Sequence, residues 1–181
     1  MQIKIIEKNK LLSSNYEIYV EGKLKYHISG KGVFSILDND ERVQLVAKKK
    51  WNPMRIYPKM ALSDLVTSKE WILDFKDEME FSLNSGDCTI NFYQQIGRKV
   101  GLFKDNIQVG FWDKQKLSNH GNDKYELELD NDLEGLPLIA VVIAYNKYLI
   151  TNNNDTLNHY DYGNLNIEPK QKIRSNWTPK K

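Results

Sequence analysis

Three consecutive lysines, Lys48-Lys49-Lys50, stand directly before Trp51, and Arg55 follows four residues later. Clustered ammonium and guanidinium groups attract phosphate oxygens, and an indole beside them can lie at a lipid or base surface. Near an anionic membrane each such charge contributes about 1 kcal/mol. The set Lys48, Lys49, Lys50, Trp51 and Arg55 is therefore the candidate anion- or lipid-surface site. The plain alternative is a solvated strand end with Trp51 packed at its rim. A second basic stretch, Lys170-Gln171-Lys172-Ile173-Arg174 with Trp177, Lys180 and Lys181, adds to the first only if the chain end folds back beside it.

Other reactive residue types do not fall into working patterns. His27, His120 and His159 are far apart in the chain, and none has a second histidine or a carboxylate at zinc-ligand spacing. Asp38-Asn39-Asp40-Glu41 lacks the ligand spacing and the glycine of a calcium loop. Glu126 and Glu128 alternate with Leu127 and Leu129, which assigns them to the solvent face of a strand, and nothing selects a catalytic carboxylate pair. There is no Gly-x-Ser-x-Gly elbow, no phosphate-binding glycine loop followed by Lys-Ser/Thr, and no histidine near the single Cys88. Gly97-Arg98-Lys99-Val100-Gly101 reads as a turn. The expectation is a protein without catalytic residues, metal ligands or cofactor.

The elements that must carry these residues are mostly strands. Period-two alternation runs from Met1 to about Asp130. It predicts strands at Gln2–Glu7, Tyr16–Val20, Leu24–Ile28, Val33–Leu37, Arg42–Ala47 and the short run Met54–Tyr57, closed by Pro58. Further strands are predicted at Glu70–Phe75, Glu78–Leu83, Cys88–Tyr93, Lys99–Phe103, Ile107–Trp112 and Tyr125–Leu129. Glu21-Gly22 and Asp105-Asn106 supply residues that tolerate the left-handed backbone of a tight hairpin. About a dozen short strands at even spacing indicate a barrel or a sandwich.

At Asp130 the pattern changes. Asp130-Asn131-Asp132 offers N-cap oxygens and negative charge to a helix amino end, and Pro137 suits a first helical turn. Leu136–Ala144 then runs without a polar residue. It is too short to span a bilayer, which takes about 20 residues. A helix apolar on every face has to be surrounded by other apolar surface. The reading is a buried helix over about 133–149, with a buried strand as its competitor. Residues 151–181 form a polar carboxy-terminal tail that carries Tyr160, Tyr162, Ile167, Ile173 and Trp177 and either drapes over the domain or moves.

Many short strands ending in one apolar helix resemble the tubby carboxy-terminal-like superfamily, and within it the LURP-one-related branch. The segments that carry the likeness are Tyr16–Ile28, Val33–Ala47, Lys99–Trp112 and Leu133–Leu149, so it covers roughly Met1–Ile150. The resemblance implies a mostly β fold: a closed antiparallel β-barrel of about twelve strands around a carboxy-terminal buried hydrophobic helix. It also implies a surface that meets phosphoinositide head groups through basic residues. The cysteine-rich segment and membrane helix of scramblase-like relatives have no counterpart here, because Cys88 is alone and the tail is polar.

Composition bounds the rest. A chain of 181 residues can bury a real core in one domain. Its 26 basic and 24 acidic residues leave a net charge of +2, far from the basic balance of a dedicated nucleic-acid binder. One cysteine excludes an internal disulfide, and Met1–Lys8 lacks the uninterrupted apolar stretch of a signal peptide. The cytoplasm is the expected compartment. The expected function is a non-catalytic binding module for an anionic ligand, a lipid head group or a phosphate-bearing partner. The alternative is a protein–protein interaction or regulatory scaffold that uses strand edges or the tail.

Overall fold

The computed structural model describes residues 1–8, 15–30, 33–50, 58–76, 79–95, 99–116, 123–149 and 169–180. Among them, twelve strands precede one helix. The strands are β1 (Gln2–Lys8), β2 (Asn15–Val20), β3 (Lys23–Ser29), β4 (Phe34–Asp38), β5 (Val43–Lys50) and β6 (Lys59–Asp64). They continue as β7 (Lys69–Phe75), β8 (Glu80–Asn84), β9 (Thr89–Gln94), β10 (Lys99–Lys104), β11 (Ile107–Lys116) and β12 (Asp123–Leu129). The helix is α1 (Gly135–Leu149).

Each strand pairs antiparallel with its neighbours in sequence, and β1 pairs with β12, so the sheet closes into a barrel with no free edge. Alternation explains why. Ile3 and Ile5 of β1, Leu45 and Ala47 of β5, and Tyr125, Leu127 and Leu129 of β12 all face inward and are buried. The turns match the residues found there: Asp105 and Asn106 both have positive φ, 51° and 63°, as does Gly22 at 75°.

The helix α1 occupies the barrel axis. From Leu138 to Ala144 every side chain is at most 1% exposed, and all of them belong to the same core as the inward strand residues. Its apolar circumference is satisfied because strands surround it on all sides.

Two points differ from the sequence reading, a strand it did not place and a helix cap. The predicted strand Met54–Tyr57 lies outside the described residues, and the strand pairing with β5 is β6, at Lys59–Asp64. Its sequence, Lys-Met-Ala-Leu-Ser-Asp, has little strand propensity and ends its inward set (Met60, Leu62, Asp64) on a carboxylate. That carboxylate turns the chain by accepting hydrogen bonds from the backbone N–H groups of Val66 (2.9 Å) and Thr67 (3.1 Å). The second change concerns Asp130. It does not cap α1, which begins at Gly135; its Oδ1 accepts a bond from the backbone N–H of Lys180 at 2.6 Å.

Residues 169–180 run along the outside of the barrel. Lys170 pairs with Glu80 of β8 (3.1 Å) at one end and Lys180 meets Asp130 at the other. The segment does fold back, but onto β9–β11. The lysines of β5 lie several strands away around the ring.

Candidate functional site

Lys48, Lys49 and Lys50 form the last three residues of β5, and all three are exposed. Alternation divides them. Lys48 and Lys50 point outward, whereas Lys49 shares the inward register of Leu45 and Ala47 beyond the end of the packed interior. Lys50 stands opposite Lys59 of β6, a like-charged cross-strand pair. Asp74 of β7 offsets it by pairing with Lys59 at 2.8 Å. Trp51 and Arg55, the other two residues of the predicted cluster, lie outside the described residues.

This rim is at the carboxy end of α1. Phe34 of β4 pairs with Ala47, and Lys147 of the helix lies 5.1 Å above the Phe34 ring. Lys147 also donates to the Gly30 carbonyl at 3.0 Å. Burial holds its ammonium below the ordinary lysine pKa, an effect that Glu7 opposes. The α1 carbonyl end carries partial negative charge and favours nearby cations. Lys48, Lys49 and Lys50 thus end β5 at the same rim as Lys147.

A belt of buried polar side chains, unnoticed in the sequence, lies beneath this end. Glu7 accepts from the Tyr16 hydroxyl (3.3 Å) and from Nδ2 of Asn146 (3.2 Å). The Tyr145 hydroxyl donates to Oε1 of Gln94 at 3.0 Å. Lys114 and Asp123 form an ion pair of 2.7 Å with both side chains 8% exposed. Burial, reinforced by the Asp123 charge, pushes the Tyr125 hydroxyl well above its usual pKa. A signal existed: the alternation that turns Ile3, Ile5, Tyr125 and Leu127 inward also turns Glu7 and Asp123 inward.

Cavities among the described residues open at the surface. One, of about 400 Å³, lies along β1 between β2 and β12 and is lined by Lys4, Tyr19, Glu126 and Glu128 among others. Another, of about 240 Å³, lies at the amino end of α1, between Tyr26, Asp64, Val66 and Leu136. Neither brings together residues that the sequence marked as a site. His27 stands apart from both, at 3.2 Å from Glu41. Among the described residues no group of three or more His, Cys, Asp or Glu is arranged to hold a metal ion. No helix among them is long and apolar enough to cross a membrane.

Comparison of the chain with protein-family models, with curated proteins and with solved structures found no match in any of the three.

Proposed function

We propose that this chain is a non-catalytic binding module of tubby-like form, whose β5–β6 rim takes phosphate-bearing head groups of an anionic lipid surface. The observation that carries the reading is the occupied axis: α1 fills the barrel with side chains from Leu138 to Ala144 at most 1% exposed, so a ligand is met on the outside. At the rim, Lys48 and Lys50 are exposed on the outer face, and Lys49 is exposed on the inward register beyond the packed interior. Binding of this kind is electrostatic and falls as salt rises, with a screening length of about 8 Å at physiological ionic strength.

The test is co-sedimentation with vesicles of phosphatidylcholine alone or with added phosphatidylserine, over a salt series. The wild type is expected to bind only the anionic vesicles. Reversing Lys48, Lys49 and Lys50 to Glu is expected to weaken binding about a hundredfold or more, at about 1 kcal/mol for each lysine. Millimolar free inorganic phosphate included as a competitor separates capture of single phosphate groups, which it would suppress, from attraction to the charged surface. Equal binding by wild type and variant would overturn the reading.

A further inference from the structure

Several strand residues that point away from the barrel axis are nevertheless buried. Tyr93 of β9 and Phe103 of β10 are 8% and 4% exposed, yet neither belongs to the interior core. They pair ring to ring at 5.7 Å on the outer face. What covers this face is the segment 169–180, and the contacts are those of a peptide in a groove.

Two buried glutamine amides hold the segment by its backbone. Gln95, 8% exposed, donates from Nε2 to the Gln171 carbonyl (2.9 Å), and its Oε1 accepts from the Ile173 N–H (3.1 Å). One side-chain amide thus bonds both groups that an extended strand presents on one side, as a neighbouring strand would. Gln108, 4% exposed, accepts from the Arg174 N–H at 2.9 Å, and its own carbonyl accepts from the Trp177 indole N–H at 3.0 Å.

Side-chain seats accompany the backbone bonds. Ile173 lies over Gly101, where a Cβ would come within 2.9 Å of its Cγ1, so the glycine leaves the hollow it occupies. Four residues on, the Trp177 ring meets Phe111 edge-on at 5.8 Å. The groove also keeps two polar atoms that its present occupant leaves without a hydrogen-bond partner among the described residues: Nε2 of Gln108 and Oδ2 of Asp130. The bond from Arg174 fixes Oε1 of Gln108 as the acceptor, so reversing the amide would not relieve the stranded Nε2. A buried donor and a buried acceptor without partners are costly, and an occupant supplying both would be held more firmly.

We propose that the outer face of β9–β11 is a binding groove for a peptide of another protein, one extended at a branched aliphatic residue and then turning, as the bond from the Trp177 N–H to the Arg174 carbonyl (3.2 Å) turns the present occupant, to place a tryptophan four positions later. Residues 169–180 occupy it in cis as a replaceable stand-in. This groove is separate from the β5–β6 rim, and its fate does not depend on the anionic-surface reading.

The test uses the full chain and a fluorescently labelled synthetic peptide of residues 169–180, followed by anisotropy. In the wild type the tethered segment competes at high effective concentration. The double variant Ile173→Asp/Trp177→Ala empties the groove. It is expected to bind the peptide at least about tenfold more tightly than the wild type does. Adding Gln95→Ala and Gln108→Ala to that variant is expected to abolish binding, as is the Ile173→Asp change in the peptide. Circular dichroism verifies that each variant keeps its barrel. No binding to a folded double variant, equal affinity for wild type and double variant, or unchanged binding after the glutamines are removed would each overturn the proposal.

Discussion

Lys114 and Asp123 neutralise one another where water barely reaches, at 2.7 Å, with the Lys114 ammonium 5.8 Å from the centre of the Tyr125 ring. Removing the Asp123 charge leaves the Lys114 ammonium in the interior without its ion-pair partner. Asp123→Asn is therefore expected to lower the unfolding free energy by about 3–5 kcal/mol, read by urea denaturation. The double variant Lys114→Met/Asp123→Leu should recover most of that loss, because two apolar side chains need no mutual compensation. A single-variant loss below about 1 kcal/mol would mean that the pair is effectively solvated. At this scale the sequence is legible where alternation is followed through its polar positions. The same rule separates Lys49 from Lys48 and Lys50, so the three lysines do not act as one outward patch. Trp51 and Arg55 lie outside the described residues.

The carboxy-terminal segment and the barrel are joined by titratable groups as well as by backbone bonds. Burial pushes the Glu80 carboxyl up, but hydrogen bonds from Lys76 and Lys170 outweigh this and hold it below its ordinary value of 4.5. A carboxyl with a depressed pKa stabilises the folded state above that ordinary value. The contribution disappears as pH falls through the lowered one. Acidification from about pH 5 to 3 should thus loosen the segment at its Lys170 end, and Glu80→Gln should flatten this part of the stability profile by less than about 1 kcal/mol. Stability measured by denaturant at several pH values checks it, and identical slopes for wild type and variant would contradict it. Among elements, α1 was the most legible, because an uninterrupted apolar run of its length has few places to go. β6 was the least legible, since Met60 and Leu62 are its only large apolar residues and its sequence lacks β-branched and aromatic side chains. The docking of 169–180 left no periodic trace at all: it depends on single glutamines and one glycine in distant strands.

Across the whole molecule, strand periodicity alone left a barrel and a sandwich open, and the closed twelve-stranded barrel around a carboxy-terminal helix, expected from the resemblance, is the architecture observed. That choice rests on the register of β1 against β12, where Ile3 meets Leu127 and Ile5 meets Tyr125, a pairing between the two ends of the strand series. Closure has two consequences. It leaves no free edge among the described strands, so partner binding by edge pairing has no physical basis there. It also encloses α1, so the proposed recognition falls to the outer surface. Hydrogen exchange with and without vesicles containing phosphatidylserine tests that division directly. The prediction is added protection confined to the β5–β6 rim around Lys48, Lys49, Lys50 and Lys59, with the amides of Leu138–Tyr145 unchanged. Altered exchange in Leu138–Tyr145 with an unchanged rim would contradict it, because the ligand would then be engaging the barrel interior.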